Sequence, residues 1–220
     1  MTIDVSIEAT AKKAFASAID WPGWCRSGKT EALALEALAA YAERFAVVVA
    51  EAGLVVPPAA LADLDVVERI PGNASTDFGV PGSPTDLDRR AVSAEDAARL
   101  AALVAAAWSV LDRVVAGAPT ELRKGPRGGG RDRDKVVAHV VGADSAYAQV
   151  MGLRLPEPDP ADRAAVTAQR AALHAVLRQP SDGSPLAGRK WPVRYAARRI
   201  AWHALDHAWE IEDRTEPAAG

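Results

Sequence analysis

The first residues of the chain alternate, with Ile3, Val5 and Ile7 apolar and Asp4, Ser6 and Glu8 polar. A period of two predicts a half-buried strand. A second strand is predicted over residues 12–19, a turn at Trp21, Pro22 and Gly23, and a further strand over residues 63–70. Between them Thr30 opens a helix in which Leu38, Tyr41, Phe45 and Val48 recur at helical spacing, until Gly53 ends it. Residues 72–92 then concentrate Gly, Pro, Ser, Thr and Asp, and Pro71, Pro81 and Pro84 withhold backbone donors, which predicts a linker.

Beyond residue 92 the period changes to that of helices. Ser93 is placed to cap a first helix, with Asp96 at its third position and Leu100, Leu103, Val104, Trp108 and Leu111 on one stripe. A break from Pro119 to Gly130 precedes a second helix over residues 132–153. A third follows over residues 161–177, and a fourth starts near Trp191, with Pro192 acceptable in its first turn, and ends near Arg214. The expected fold class is α+β. A small amino-terminal antiparallel sheet with one helix (residues 1–71) is followed, after the linker, by an antiparallel four-helix bundle (residues 93–215).

The fourth helix carries His203 and His207, whose spacing of four brings both imidazoles to one face. Their stripe also holds Ala196, Arg199, Ile200, Asp206, Glu210 and Ile211, more ionisable groups than a plain core stripe needs. His139 lies in the second helix with Val136, Gly142, Ala143, Ala146 and Val150, the side read as core-facing. If the two helices meet, three neutral imidazoles converge and can hold one divalent ion with coordination positions left open, the arrangement of catalytic and not structural sites. The alternatives are a solvated surface pair at 203 and 207 and an ordinary core histidine at 139. His174 has no partner at ligand spacing and reads as structural. Glu210 and Asp206 are either groups that orient an imidazole N–H or solvated charges, Glu210 fitting the stripe better. Arg199, one turn before His203, either orients an anionic group or makes a surface ion pair, while Arg194 and Arg198 fall on the opposite side and read as solvated.

Composition narrows the functional classes. Half the chain is apolar and a quarter charged, the balance of a folded protein, and 26 basic against 29 acidic residues leave no net positive field for a nucleic acid. The one cysteine, Cys25, excludes thiolate clusters and internal disulfides; it reads as a packing residue. No signal sequence is visible, and the apolar stretch at 97–109 is too short for a membrane span and carries Arg99, so a cytoplasmic protein without a membrane partner is expected. The run G-P-R-G-G-G-R (residues 125–131) lacks the Lys-Ser/Thr ending of a phosphate loop. With Arg123, Lys124, Arg127, Arg131 and Arg133 it reads as a basic connection able to touch an anionic ligand.

The histidine in A-H-V-V-G-A-D (residues 138–144), followed by R-I-A-W-H-A-L-D-H-A-W-E (residues 199–210), resembles the DinB/YfiT-like superfamily of metal-binding four-helix bundles, to which mycothiol-dependent maleylpyruvate isomerases and related thiol transferases belong. The resemblance covers residues 91–215. It implies that His139, His203 and His207 ligate a divalent ion, usually zinc or nickel, which activates a low-molecular-weight thiol such as mycothiol or a water. Separately, W-P-G-W-C-R-S-G-K-T-E-A-L-A-L-E-A-L (residues 21–38) is similar to the HicB-like antitoxin fold, without the DNA-binding element that would imply a repressor.

Two functions compete. The first is a metal-dependent thiol transferase or hydrolase acting on a small molecule, in which Glu210 and Arg199 assist at the ion. The second is a non-catalytic metal-binding or partner-binding module, in which Trp21 and Trp24 offer contact points and the chain forms a homodimer or recruits a protein.

Overall fold

The computed structural model describes residues 2–55, 63–125 and 129–215. Its architecture is α+β, with a four-stranded mixed sheet at the amino terminus followed by helices. Strands β1 (Ile3–Ala9), β2 (Ala14–Ala18) and β3 (Cys25–Gly28) form an antiparallel meander. The chain then crosses through helices α1 (Glu31–Ala40) and α2 (Ala42–Glu51) and returns as β4 (Leu64–Pro71), giving the order β3-β2-β1-β4.

The expected antiparallel sheet is therefore corrected: β4 pairs with β1 in parallel. The reason lies in the connection. A helical crossover carries the chain back to the end from which β3 started, so β4 must run in the direction of β3, which is also that of β1. β3 is not among the predicted strands, because four residues with Arg26 and Ser27 in the middle carry no alternation of their own. The single helix predicted over residues 30–53 is two. Thr30 caps α1 as expected, its side chain accepting the Leu33 N–H at 3.3 Å, but Tyr41 leaves helical geometry at φ −93° and ψ 4°. Its ring packs on Trp209 at 5.0 Å and lies under the Arg26 guanidinium at 4.1 Å.

Residues 72–92 are not bare chain. They hold α3 (Ala74–Phe78), opened by an Asn73 capping box, and a 3-10 turn at Leu87–Arg89. Carboxylates of the sheet pin this strap. Glu8 of β1 accepts the Thr76 hydroxyl and the N–H groups of Gly82 and Ser83, and Glu68 of β4 accepts those of Asp86 and Leu87. These bonds satisfy donors that the prolines and turns leave outside regular structure.

Four longer helices follow: α4 (Ala94–Gly117), α5 (Arg133–Val150), α6 (Arg163–Leu177) and α7 (Val193–Arg214). α4 lies against α7 and α6, and α5 against α7 and α6. Ser93 caps α4, accepting the Asp96 N–H at 3.0 Å, and the predicted stripe from Leu100 to Leu111 is buried. With 24 residues α4 is long and apolar enough to cross a membrane by length and composition, longer than the stretch read from sequence, and half of its most apolar window is buried here. One hydrophobic cluster runs from Ile3, Val5 and Ile7 of the sheet through Trp24 and Phe45 to Leu100, Leu103, Ile200 and Trp209.

α7 is buried on nearly its whole circumference; from Val193 to Ile211 only Arg199, Asp206 and Glu210 are partly exposed. Arg194 and Arg198, expected in solvent, are among the buried residues. The sheet and the strap cover the side of α7 that a bare bundle would expose, so both arginines meet carboxylates. Arg194 donates to Asp20 at 2.8 Å, and Arg198 donates through Nε to Asp88 at 2.9 Å. Gly23, at φ +98°, lets the turn before β3 reach this helix, since a Cβ there would stand 2.5 Å from the Leu205 side chain.

Burial alone would raise the Asp88 carboxyl, but the Arg198 guanidinium, with the N–H and hydroxyl of Thr85, outweighs it and holds the group below the ordinary carboxylate range. Asp88→Ala, which leaves Arg198 charged and unpaired in the interior, is expected to cost about 3–5 kcal/mol in urea unfolding. In the wild-type chain the contribution of this carboxylate is fully present above about pH 4, the unfolded value, and is lost as pH falls through the lower folded value. The difference in stability between wild type and Asp88→Ala should therefore shrink on acidification below that point.

Candidate metal centre

The cluster predicted from the sequence forms. One ring nitrogen from each of His139, His203 and His207 lies within 4.8 Å of the others. The ring centroids are 5.0 Å apart for 139 and 203, 5.0 Å for 139 and 207, and 4.7 Å for 203 and 207. α7 supplies the second and third rings from consecutive turns, and α5, which packs along α7, supplies the first. His203 and His207 are buried, whereas His139 stands at the rim, partly exposed.

The stripe of His139 is thus core-facing only at Val136. Gly142, Ala143, Ala146 and Val150 are all at least partly exposed, and the buried face of α5 carries Val140, Val141, Asp144, Tyr147 and Ala148. Asp144, in the same seven-residue run as His139, faces away from the trio. It accepts the Trp108 indole N–H at 3.1 Å, and burial pushes its carboxyl up to about 7 against the pull of Arg170.

Glu210 settles the orientation of one ring. Its Oε2 lies 2.8 Å from His207 Nδ1 and its Oε1 lies 2.6 Å from Arg214 Nη1. The His207 contact, with Arg214 beside it, holds the Glu210 carboxyl below its ordinary value, so the carboxylate accepts and His207 Nδ1 carries the proton. In the neutral tautomer that ligates a metal, His207 Nε2 then carries the lone pair. His139 and His203 face each other through Nε2 atoms 3.2 Å apart. Two nitrogens held at about 2.1 Å by one tetrahedral ion stand about 3.4 Å apart, so this spacing suits shared ligation.

Two of the three rings, His203 and His139, are held toward the neutral form. Burial, followed by His207 and Arg199, pushes His203 down to about 2, and burial with His207 and Arg131 lowers His139 as well. Neutral imidazole is the form that ligates a metal. His203 Nδ1 is buried with no hydrogen-bond partner among the described residues, so of the two rings on α7 only His207 has its orienting acceptor.

Arg199, Tyr147 and Trp202 form the wall beside His203. Tyr147 and Trp202 stand 5.8 and 6.0 Å from the His203 ring, and the Arg199 guanidinium lies 5.3 Å from the Tyr147 ring and 4.6 Å from the Trp202 ring. Toward the carboxy-terminal end of α7, Glu210 and Arg214 line an open depression of about 540 Å³ with Arg123, Lys124 and three glycines.

Other sequence expectations divide. Asp206 pairs with Arg26 of β3 at 2.9 Å and does not orient an imidazole. His174 stays apart from the trio, near the end of α6. Cys25 packs, as expected; burial raises its thiol to about 11. Trp24 is fully buried, stacked 5.3 Å from Phe45 and donating to the Leu38 carbonyl, and Trp21 meets the same ring edge-on, so neither offers a partner a surface. Of the basic connection, Arg123 ties to the end of α7 and Lys124 pairs with Asp132. Pro126, Arg127 and Gly128, read as part of that glycine-rich run, lie outside the described residues. The sequence reading missed Tyr147, Trp202 and Arg214. Arg214 alone had a signal, its i,i+4 spacing from Glu210.

No protein-family model matches the chain, and no curated protein or solved structure matches it significantly.

Glu210→Gln is expected to lower zinc affinity about 10–100-fold, because the neutral amide orients the His207 ring less firmly than the carboxylate. Competition for zinc with a chromophoric chelator measures this, and unchanged affinity would refute the orienting role of Glu210.

Proposed function

We propose that this chain is a divalent-metal-dependent enzyme of the DinB/YfiT-like kind, a thiol transferase or hydrolase, with His139, His203 and His207 as the ligands of a zinc or nickel ion. In this reading α4 to α7 are the four-helix bundle of that superfamily, their pairwise contacts closing a ring in which α5 and α7 are neighbours. Residues 1–71 are a HicB-like unit joined to the bundle by the strap. The observation that carries the proposal is the pairing of Glu210 with His207 Nδ1, which leaves Nε2 to face two imidazoles already at shared-ligand spacing. A carboxylate behind a ligating histidine is the usual device for fixing its tautomer.

A divalent ion on three neutral ligands keeps its full charge and lowers the pKa of a bound thiol or water toward neutrality. The chain supplies the rest. Glu210 keeps the proton on His207 Nδ1, Arg214 keeps Glu210 ionised, and the rings of Tyr147 and Trp202 shield His203 from water. The rim position of His139 leaves a side open for a low-molecular-weight thiol such as mycothiol and for a small-molecule substrate. The competing partner-binding module loses its contact points, since both tryptophans are core.

Protein purified without a polyhistidine tag is expected to retain about one zinc or nickel ion per chain by elemental analysis. His203→Ala should lose it while remaining folded by circular dichroism. In the cobalt(II)-substituted protein a saturating thiol should introduce a sulfur-to-metal charge-transfer band, and a hydrolase using water instead should give no such band but a pH-dependent visible spectrum. A wild-type protein that binds no divalent ion even when supplied with zinc, nickel or cobalt overturns the proposal.

A further inference from the structure

Every charged side chain of α7 but one has an ionic partner, Glu212 and Asp213 sharing Arg44. Arg194 faces Asp20, Arg198 faces Asp88, Arg214 faces Glu210, and Asp206 faces Arg26. Arg199 has no ion pair and no hydrogen bond with any described residue, and its Nη1 is sealed from solvent without an acceptor. A guanidinium is always charged, and leaving one partly desolvated without a counterion is costly. What holds it is aromatic: the faces of Trp202 and Tyr147, with Trp202 itself in edge-on contact with Phe15 at 6.1 Å. These rings pack on the guanidinium and offer no oxygen to accept its N–H groups.

The position is as informative as the missing partner. Arg199 belongs to the one open stripe of α7, and the two rings that hold it are the same two that stand beside His203. A cation packed against two rings with its hydrogen-bonding capacity unspent, one helical turn from His203, is placed to take a two-oxygen acceptor through its fork of N–H donors. We propose that Arg199, packed against Trp202 and Tyr147, binds the carboxylate of the thiol or substrate whose reacting end lies at the His139–His203–His207 centre. The inference rests on the metal reading for what the other end of the ligand does, but not for the carboxylate itself. A carboxylate can offer both of its oxygens to the two-pronged N–H fork at once.

The test compares two small thiols that differ by a carboxylate, 3-mercaptopropionate and 2-mercaptoethanol, titrated calorimetrically into the zinc-loaded full chain. Wild type is expected to bind the acid about tenfold more tightly or better. Arg199→Gln should abolish that preference while keeping its zinc and its affinity for 2-mercaptoethanol, and Arg199→Lys, which keeps the charge without the fork, should recover part of it. Near-ultraviolet circular dichroism confirms that the aromatic packing survives in both variants. Equal affinity for the two thiols in wild type, or a preference that persists in Arg199→Gln, overturns the inference with the metal site intact. Stronger displacement of the acid by inorganic phosphate than by propionate overturns the carboxylate assignment. Should the chain hold no zinc, the metal reading fails by itself. Propionate binding then decides: its loss in Arg199→Gln sustains the inference, and its absence in wild type overturns it.

Discussion

The architecture depends on one helix being enclosed. α7 is apolar, aromatic and cationic around its circumference, and three other long helices cover only part of it. The amino-terminal sheet and the strap that follows it cover the rest, placing Trp24, Phe45 and β1 in the same hydrophobic cluster as Ile200 and Trp209. Enclosure imposes a condition on every charge of the helix: it must find a partner, lie in the remaining opening, or lose its charge. Arg194 and Arg198 satisfy the condition through Asp20 and Asp88, and the strap exists in its observed form partly to deliver Asp88. His203 satisfies it by remaining neutral, and His207 by its contact with Glu210.

That condition explains why the candidate centre sits where it does. The opening of α7 is a narrow stripe marked by Arg199, Asp206 and Glu210, with His203 and His207 on its inner edge. α5 borders the stripe and adds His139 from the rim. The result is a gradient across a few ångströms, from a sealed His203 against aromatic rings to a carboxylate-backed His207 and an accessible His139. A single acid, Glu210, serves two positive or proton-bearing neighbours, Arg214 and His207, and so stays ionised at a buried edge. The arrangement leaves one side open, at His139, with the cations Arg199 and Arg214 on either side along α7.

Much of this was legible in order. The period of two at residues 3–8, the caps at Thr30 and Ser93, the stripe from Leu100 to Leu111 and the proline at the start of α7 each report a local preference, and each element is present. The histidine trio was legible for the same reason: spacing of four on one helix is local geometry, and only the docking of α5 had to be supposed. The misreadings share the opposite character. The parallel pairing of β4, the break at Tyr41, the burial of Arg194 and Arg198, and the face of α5 that leaves His139 at the rim all depend on what packs against them from distant parts of the chain.

By itself the sequence determined the elements, their approximate limits and the residue types able to ligate, because hydrophobic period, capping and i,i+4 spacing act within a few residues. Tertiary structure alone decided that the two tryptophans at 21 and 24 are core, that Asp206 belongs to Arg26 and Glu210 to His207, and that Arg199 keeps its hydrogen-bonding capacity unspent. These are choices among partners, and a charge or a ring takes whichever partner the packing of remote segments brings within a few ångströms once water has been excluded.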